Sequence, residues 1–436
     1  MKADEPGSLL AGLPKNPRRI FYGWWILVSS CIIMGFSSGI ITYGATVFFS
    51  PVANALNLSR TATSLALALS RMENTLLAYP IGYCIDRFGP RPMALAGMTL
   101  LGTGLILFGL FANSLFTFIL FWTFMVALGG TIGGYAPHWA ALNNWFVKKK
   151  GRAMGIGMSA QALGGFLIAP ALALMISLWD WRAAAVIAGV AVLAVALPVA
   201  SVIRTRPSDM GLRPDGDVRD ADPPGAPSPT AATPTTVHRH TIINFTLKQA
   251  TRTRSLWLLS TALGMRQLVQ GGVIFHLSPM LQDSGYSGVQ AGSMVGLVAF
   301  LAIFGAITVG TLSDRFERRK VAAAISIVEA GSLFILFFAG TGWPVYLFLV
   351  GYGFAQGTHT LNRAILGEYF GQSHYARLWG VMSTATTPLS FAGPVFAGWM
   401  FDTTGTYNTV ILIFAVLLAC NVLVYYNCRR PSTPVS

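Results

Sequence analysis

A few ionisable and amide side chains stand at helical spacings deep inside otherwise apolar runs. Arg266 and Gln270 are four residues apart and share one face of a helix, and a guanidinium with an amide one turn away is a donor set suited to a carboxylate. Arg266 lies about 11 residues into its run, roughly 16 Å at 1.5 Å per residue, close to the middle of a bilayer. Either it binds an anion or it pairs with an acid such as Glu73 or Glu329. Gln356, His359 and Arg363 form a second stripe at spacings of three and four. His359 suits anion binding or proton transfer, and Arg363, near the end of its run, either assists binding or snorkels to the interface. Glu73, in Arg71-Met-Glu73-Asn74, is a candidate for proton coupling, because an apolar setting penalises the charged form of a carboxyl. The alternative is a standing counter-ion for a nearby arginine. Arg71 and Asn74 share a face while Glu73 points elsewhere. His138, Tyr43 and Asn143 are further binding candidates, each also readable as a packing residue, whereas Glu329 and His276 read as architecture.

These residues need helices that cross a membrane. Of 436 residues, 53% are hydrophobic and 11% charged, too few charges to cover a soluble surface. Apolar runs of spanning length occur at 24–49, 61–82, 93–112, 115–141, 153–177, 182–203, 255–280, 289–311, 321–340, 343–366, 379–401 and 407–427. The net charge of +14 is topological: of 30 Lys and Arg, 25 fall in both termini and every second loop. The opposite loops hold Arg60 and Arg182, and Arg71, Arg266 and Arg363 lie within spans. This positive-inside bias places both termini in the cytoplasm, and no basic stripe interleaved with aromatics asks for nucleic acid. The first run is too long for a signal-peptide core and reads as a retained span. Cys31, Cys84, Cys420 and Cys428 make neither a disulfide framework nor a metal spacing. Gly155 to Gly165 lacks the Gly-Lys-Ser/Thr ending of a phosphate loop, so no direct use of ATP is indicated. No cofactor, metal or enzyme chemistry is expected.

Residues 204–254 are rich in Pro, Asp and Gly and read as a flexible linker between six spans (1–203) and six spans (255–436). One motif occurs in both halves. Gly82-Tyr-Cys-Ile-Asp86-Arg87-Phe-Gly89-Pro-Arg91 and Gly310-Thr-Leu-Ser-Asp314-Arg315-Phe-Glu-Arg318-Arg319 each follow the second run of their half. Phe146–Gly155 likewise matches Phe370–Gly380, and Pro170 and Pro394 fall in the fifth span of each half. A duplicated basic hairpin among apolar spans points to a secondary transporter built from parallel repeats.

The duplicated loop resembles that of the major facilitator superfamily, and the likeness extends over essentially the whole chain. Phe21-Tyr22-Gly23-Trp24-Trp25, the run Met210-Gly-Leu-Arg-Pro-Asp-Gly and Glu368-Tyr-Phe-Gly look like bacterial relatives of the monocarboxylate and oxalate/formate transporters. The resemblance implies an all-α membrane protein of twelve transmembrane helices in two pseudo-symmetric six-helix bundles. It implies a cavity lined by the first, fourth, seventh and tenth helices, and alternating access gated by Gly82, Asp86, Arg87 and Arg91 with Gly310, Asp314 and Arg315. One position departs from the pattern: monocarboxylate transporters commonly place an arginine in the eighth helix, four residues before the motif glycine, and here Ala306 stands there. The expectation is a multi-pass, monomeric carrier in the inner (plasma) membrane, moving a small organic anion, with protons or by exchange. Export of amphipathic compounds is the alternative; a ligand sensor and a membrane enzyme are remoter ones.

Overall fold

The computed structural model describes residues 21–216, 245–357, 361–371 and 374–431, and every regular element among them is helical. The first half runs through α1 (Tyr22–Ala55), α2 (Arg60–Phe88), α3 (Pro90–Phe111), α4 (Leu115–Trp145), α5 (Lys150–Leu178) and α6 (Trp181–Ser201). The second comprises α7 (Arg254–Asp283), α8 (Gly288–Arg315), α9 (Arg318–Phe338), α10 (Trp343–Gln356), α11 (Leu361–Phe370), α12 (Tyr375–Thr404) and α13 (Asn408–Asn427). Eight of these, α1, α3 to α6, α8, α9 and α13, are long and apolar enough to cross a membrane. α2, α7 and α12 have 29, 30 and 30 residues and are more polar; α2 carries Glu73 and α7 carries Arg266 and Gln270. Polar groups at this depth belong on helices that face a cavity or each other rather than lipid.

Local chemistry sets the helix ends. The Ser59 hydroxyl caps α2 by accepting the Ala62 N–H at 3.1 Å, Thr253 does the same for Leu256 of α7, and Ser287 and Gln290 form a reciprocal capping box on α8. The first loop motif turns sharply because Gly89 takes φ 87°, a left-handed conformation open to glycine, and Pro90 then starts α3 without an unsatisfied N–H. π-helical turns interrupt α1 at Ser38–Gly44, α4 at Trp122–Ala127 and Thr131–Tyr135, and α6 at Val192–Ala196.

Packing repeats from one half to the other. α1 lies on α5, α2 on α4 and α3 on α6; in the second half α7 lies on α12, α8 on α10 and α9 on α13. Close approach depends on glycine in both. A Cβ at Gly164 of α5 would overlap the Gly35 backbone of α1, and one at Gly393 of α12 would overlap the Leu268 carbonyl of α7. The halves meet along α2 with α12 and α5 with α8, with α1 against α7.

Where the chain leaves the first half, Asp215 holds its start. Its backbone is left-handed (φ 59°), and its carboxylate accepts the N–H groups of Val147, Lys148 and Lys149 at 2.9, 2.7 and 3.2 Å. Slight burial pushes its pKa up, but these three bonds and the Lys149 charge outweigh that and hold it below the usual carboxylate range. Residues 217–244 of the expected linker lie outside the described residues.

Candidate functional site

Arg266 and Gln270 share a face of α7 as the spacing requires, but they point into their own half. Arg266 Nε donates to Glu329 Oε2 at 3.2 Å, and its Nη2 donates to the Ala355 carbonyl of α10. Gln356 Nε2 donates to Glu329 Oε1 at 3.5 Å, and Gln356 Oε1 accepts from Gln270 Nε2 at 2.7 Å. Glu329 is fully buried and Arg266 is 7% exposed. The small void beside Arg266 is lined by Ser326, Asn362 and Tyr425, all of the second half. Of the two readings open for Arg266, the ion pair with Glu329 is the one present, and its charge is already balanced. Glu329 is the partner of Arg266 in this pair.

The remaining candidates fall into distinct settings. His138 is buried, with Nδ1 3.2 Å from Ser30 Oγ of α1 and Nε2 3.0 Å from the Gly133 carbonyl of its own helix, so both ring nitrogens are engaged. Tyr43 is half-buried on α1, against Gly165 of α5, where that helix also meets Ala299 of α8. Asn143 is exposed near the end of α4, and Arg363 is exposed with its guanidinium 4.7 Å from the Trp379 ring centre, an arrangement in keeping with snorkelling. His359 lies outside the described residues. Ala306 is exposed on α8, and its backbone amide packs where a Cβ on Gly357 would sit, so the two helices approach closely there.

Two charges on α2 behave differently. Glu73 is 8% exposed, and neither carboxyl oxygen has a hydrogen-bond partner among the described residues. Thr123 of α4 donates to the Ala66 carbonyl, two turns before Glu73 on the same face, so Glu73 lies toward α4 and away from the other half. Arg71 crosses to the other half, donating from Nη1 to Ser390 Oγ of α12 at 3.1 Å, with its guanidinium 5.0 Å from the Phe275 ring centre of α7.

Hydrogen bonds between the halves lie at Arg71 or on the Arg60 side of it, among the described residues. Arg60 donates to both Asp283 oxygens at 3.1 Å and to Tyr407 at 3.1 Å, and stacks 4.4 Å from Phe401. Asp402 of α12 accepts the Arg60 N–H at 3.0 Å and the Thr61 N–H at 2.8 Å, so a carboxylate of one half satisfies the N-terminus of a helix in the other. His276 lies 2.9 Å from both Ser64 and Tyr407 and 3.0 Å from the Pro394 carbonyl. At the opposite end Asp86 and Asp314 are exposed and make no ion pair among the described residues. Gly82, Gly310, Gly155 and Gly380 there meet no neighbouring atom within 4 Å of a built Cβ. The molecule is thus latched at the Arg60 end and unlatched at the end bearing the duplicated loops. Arg60 was visible in the sequence only as a rare basic residue in the sparse loops; its acidic partners come from distant positions that no spacing connects.

The Arg60 latch yields an expected result. Removing it by Arg60→Ala weakens one state of the molecule and favours the state open at that end. The pair is partly solvated, which limits its strength. A several-fold rise in labelling of Ser64→Cys by a membrane-impermeant maleimide, applied from the Arg60 side, is the expected readout. Unchanged labelling would show that the latch does not set the equilibrium.

The family model described as Major Facilitator Superfamily matches residues 31–360 and, overlapping it, residues 265–436. The chain belongs to this superfamily: it is a multi-pass membrane transporter and not an enzyme. Monocarboxylate transporter 12 of Rattus norvegicus is 26% identical over 422 residues, covering 92% of this chain and 85% of that protein. The oxalate:formate antiporter of Oxalobacter formigenes is 24% identical over 406 residues, covering 90% and 88%. Among solved structures, a bacterial homologue of the human lysosomal transporter Spinster, in an inward-facing, unoccupied conformation, superposes with a TM-score of 0.73 at 17% identity, covering 95% of this chain and 98% of that one. The last comparison speaks to the fold alone.

Proposed function

We propose that this protein is a secondary carrier of small organic anions, with monocarboxylates as the cargo class, working by alternating access with proton coupling. In this reading α2, α7, α12 and the pair α10 and α11 are the four crossings beyond the eight apolar ones, giving twelve in two six-helix bundles. The duplicated loops face the cytoplasm with both termini, and the protein works as a monomer in the inner membrane. The observation that carries the coupling is the Glu73 carboxyl, nine-tenths buried with neither oxygen hydrogen-bonded among the described residues. An ionised carboxylate without a partner at this depth is costly, and proton uptake removes the charge. A carboxylate moved with one proton is electroneutral, so the cycle needs such a group or a protonated substrate. The monocarboxylate transporters and the oxalate:formate antiporter among the relatives support the cargo class. Asp86, Arg87, Arg91, Asp314 and Arg315, unlatched here, are the groups that close the cavity at their end in the opposite state.

Counterflow in proteoliposomes tests this reading, with formate, acetate, lactate, pyruvate and oxalate preloaded one at a time. Labelled short-chain monocarboxylate should accumulate transiently in preloaded vesicles and not in empty ones. Folded protein that moves none of the five, but moves amphipathic cations or neutral compounds, would replace this reading with that of an efflux carrier.

A further inference from the structure

An anion carrier needs a cation where its cargo rests, and the three places from which one was expected do not supply it. Position 306 is alanine, Arg266 is balanced by Glu329 at 3.2 Å, and Arg363 is exposed against the Trp379 ring. Arg71 remains. It lies about 11 residues into the 29-residue α2, roughly 16 Å from the Arg60 end and so near mid-height. It stands at the seam of the two halves, touching Ser390 of α12 and Phe275 of α7, and Gly271 of α7 gives it room, a Cβ there falling 3.4 Å from Nη1.

Three features separate Arg71 from a structural arginine. It forms no ion pair among the described residues, although a cation at this depth is costly without a counter-charge. Its one described hydrogen bond is to a hydroxyl, so most of its planar fork of donors is unspent. It is half-buried, in contrast to the enclosed Arg266. Nearby, Tyr352 of α10 is fully buried with its phenolic oxygen unpartnered among the described residues, and it lies within electrostatic reach of Arg71, Arg266 and Glu329. A buried phenol without a partner is a donor awaiting an acceptor.

We propose that Arg71 is the substrate-carboxylate site of this carrier, with Ser390 and Tyr352 as the adjoining hydroxyl groups. The inference rests on the anion-carrier reading above and assigns its cargo site. Arg71 donates two N–H groups to the carboxylate in a fork, and the Phe275 ring face keeps the guanidinium in place between substrates. Because the site is built from α2 of one half and α7, α10 and α12 of the other, the anion completes a contact across the seam. Occupied and empty carriers then differ in how firmly their halves are joined, which couples binding to the swing between states.

The test is initial-rate counterflow of the same five anions by wild-type, Arg71→Gln and Arg71→Lys proteins, with size-exclusion profiles to check folding. For the best wild-type anion, R71Q should raise KM roughly ten- to hundredfold, the effect of losing a charged hydrogen-bond pair. R71K should lie between, since lysine keeps the charge but loses the fork. If R71Q does not fold, the KM of R71K carries the test in the same direction. Wild-type KM in R71Q, or an unchanged KM with a lowered maximal rate, would overturn the assignment and leave Arg71 a strut between the halves. Wild-type protein that moves none of the five anions removes the carrier reading, and this site with it.

Discussion

Replacing Glu73 by glutamine is expected to uncouple the carrier from protons while sparing exchange. The change keeps the shape of the side chain but ends its ability to gain or lose a proton. For an electroneutral symporter, a pH difference of one unit supports about a tenfold concentration ratio of substrate, since one unit corresponds to 1.36 kcal/mol. Wild-type vesicles with an alkaline interior should approach that ratio, and E73Q vesicles should stay near unity. Counterflow, which needs no net proton movement, should persist in both. The carboxyl has no hydrogen-bond partner among the described residues, so the substitution strands no other group and the protein should fold. An E73Q protein that still concentrates substrate on a pH gradient would show that protons travel by another group or with the acid itself. A protein inactive in both assays would show that Glu73 serves the transport cycle rather than its coupling.

Removing Glu329 is expected to be the most damaging single change to stability. Glu329→Ala strands the Arg266 guanidinium in a site where it is 7% exposed, and breaking a buried pair by deleting one partner costs about 3–5 kcal/mol. A fall in the apparent unfolding temperature on the order of 10 °C in detergent is the corresponding readout. Arg266→Gln should be nearly as harmful, because it leaves a carboxylate with only Gln356 at 3.5 Å for support. The double replacement Arg266→Met with Glu329→Leu should recover most of the loss, since two apolar side chains of similar volume need no counter-charge. If the single changes cost no more than an ordinary surface substitution, the pair is not holding α7 against α9. Non-additivity of this kind is expected of groups in direct contact.

These two glutamates show what could be read in advance. Both stand out in the sequence as acids inside apolar runs. Depth along a helix follows from rise per residue, but direction around the seam does not. Glu329 faces Arg266, while Glu73 faces α4 with no partner among the described residues. The stripe of Arg266 and Gln270 was equally legible as a shared face. That the face turns toward α9 and α10, and not toward the space between the halves, depends on how α7 is rotated by its packing on α12, where Gly393 lets the helices touch. Arg71 was passed over for the same reason. Its single polar neighbour, Ser390, is 319 residues away, and no local pattern links them.

The sequence by itself determined that this is a membrane protein of duplicated helical halves, because the length of an apolar run and the charge of its loops answer directly to the bilayer. It also determined the repeated loop, the sharp turn at Gly89 and Pro90, and the capped helix starts, all of which are local chemistry. Tertiary structure alone decided which charges are paired and which end is latched. Each of those facts rests on two side chains from helices far apart in the chain, brought within hydrogen-bond reach by the rotation and crossing of packed helices. Arg266 has an acid beside it, and Arg71 has none among the described residues. The chain order is silent on that difference.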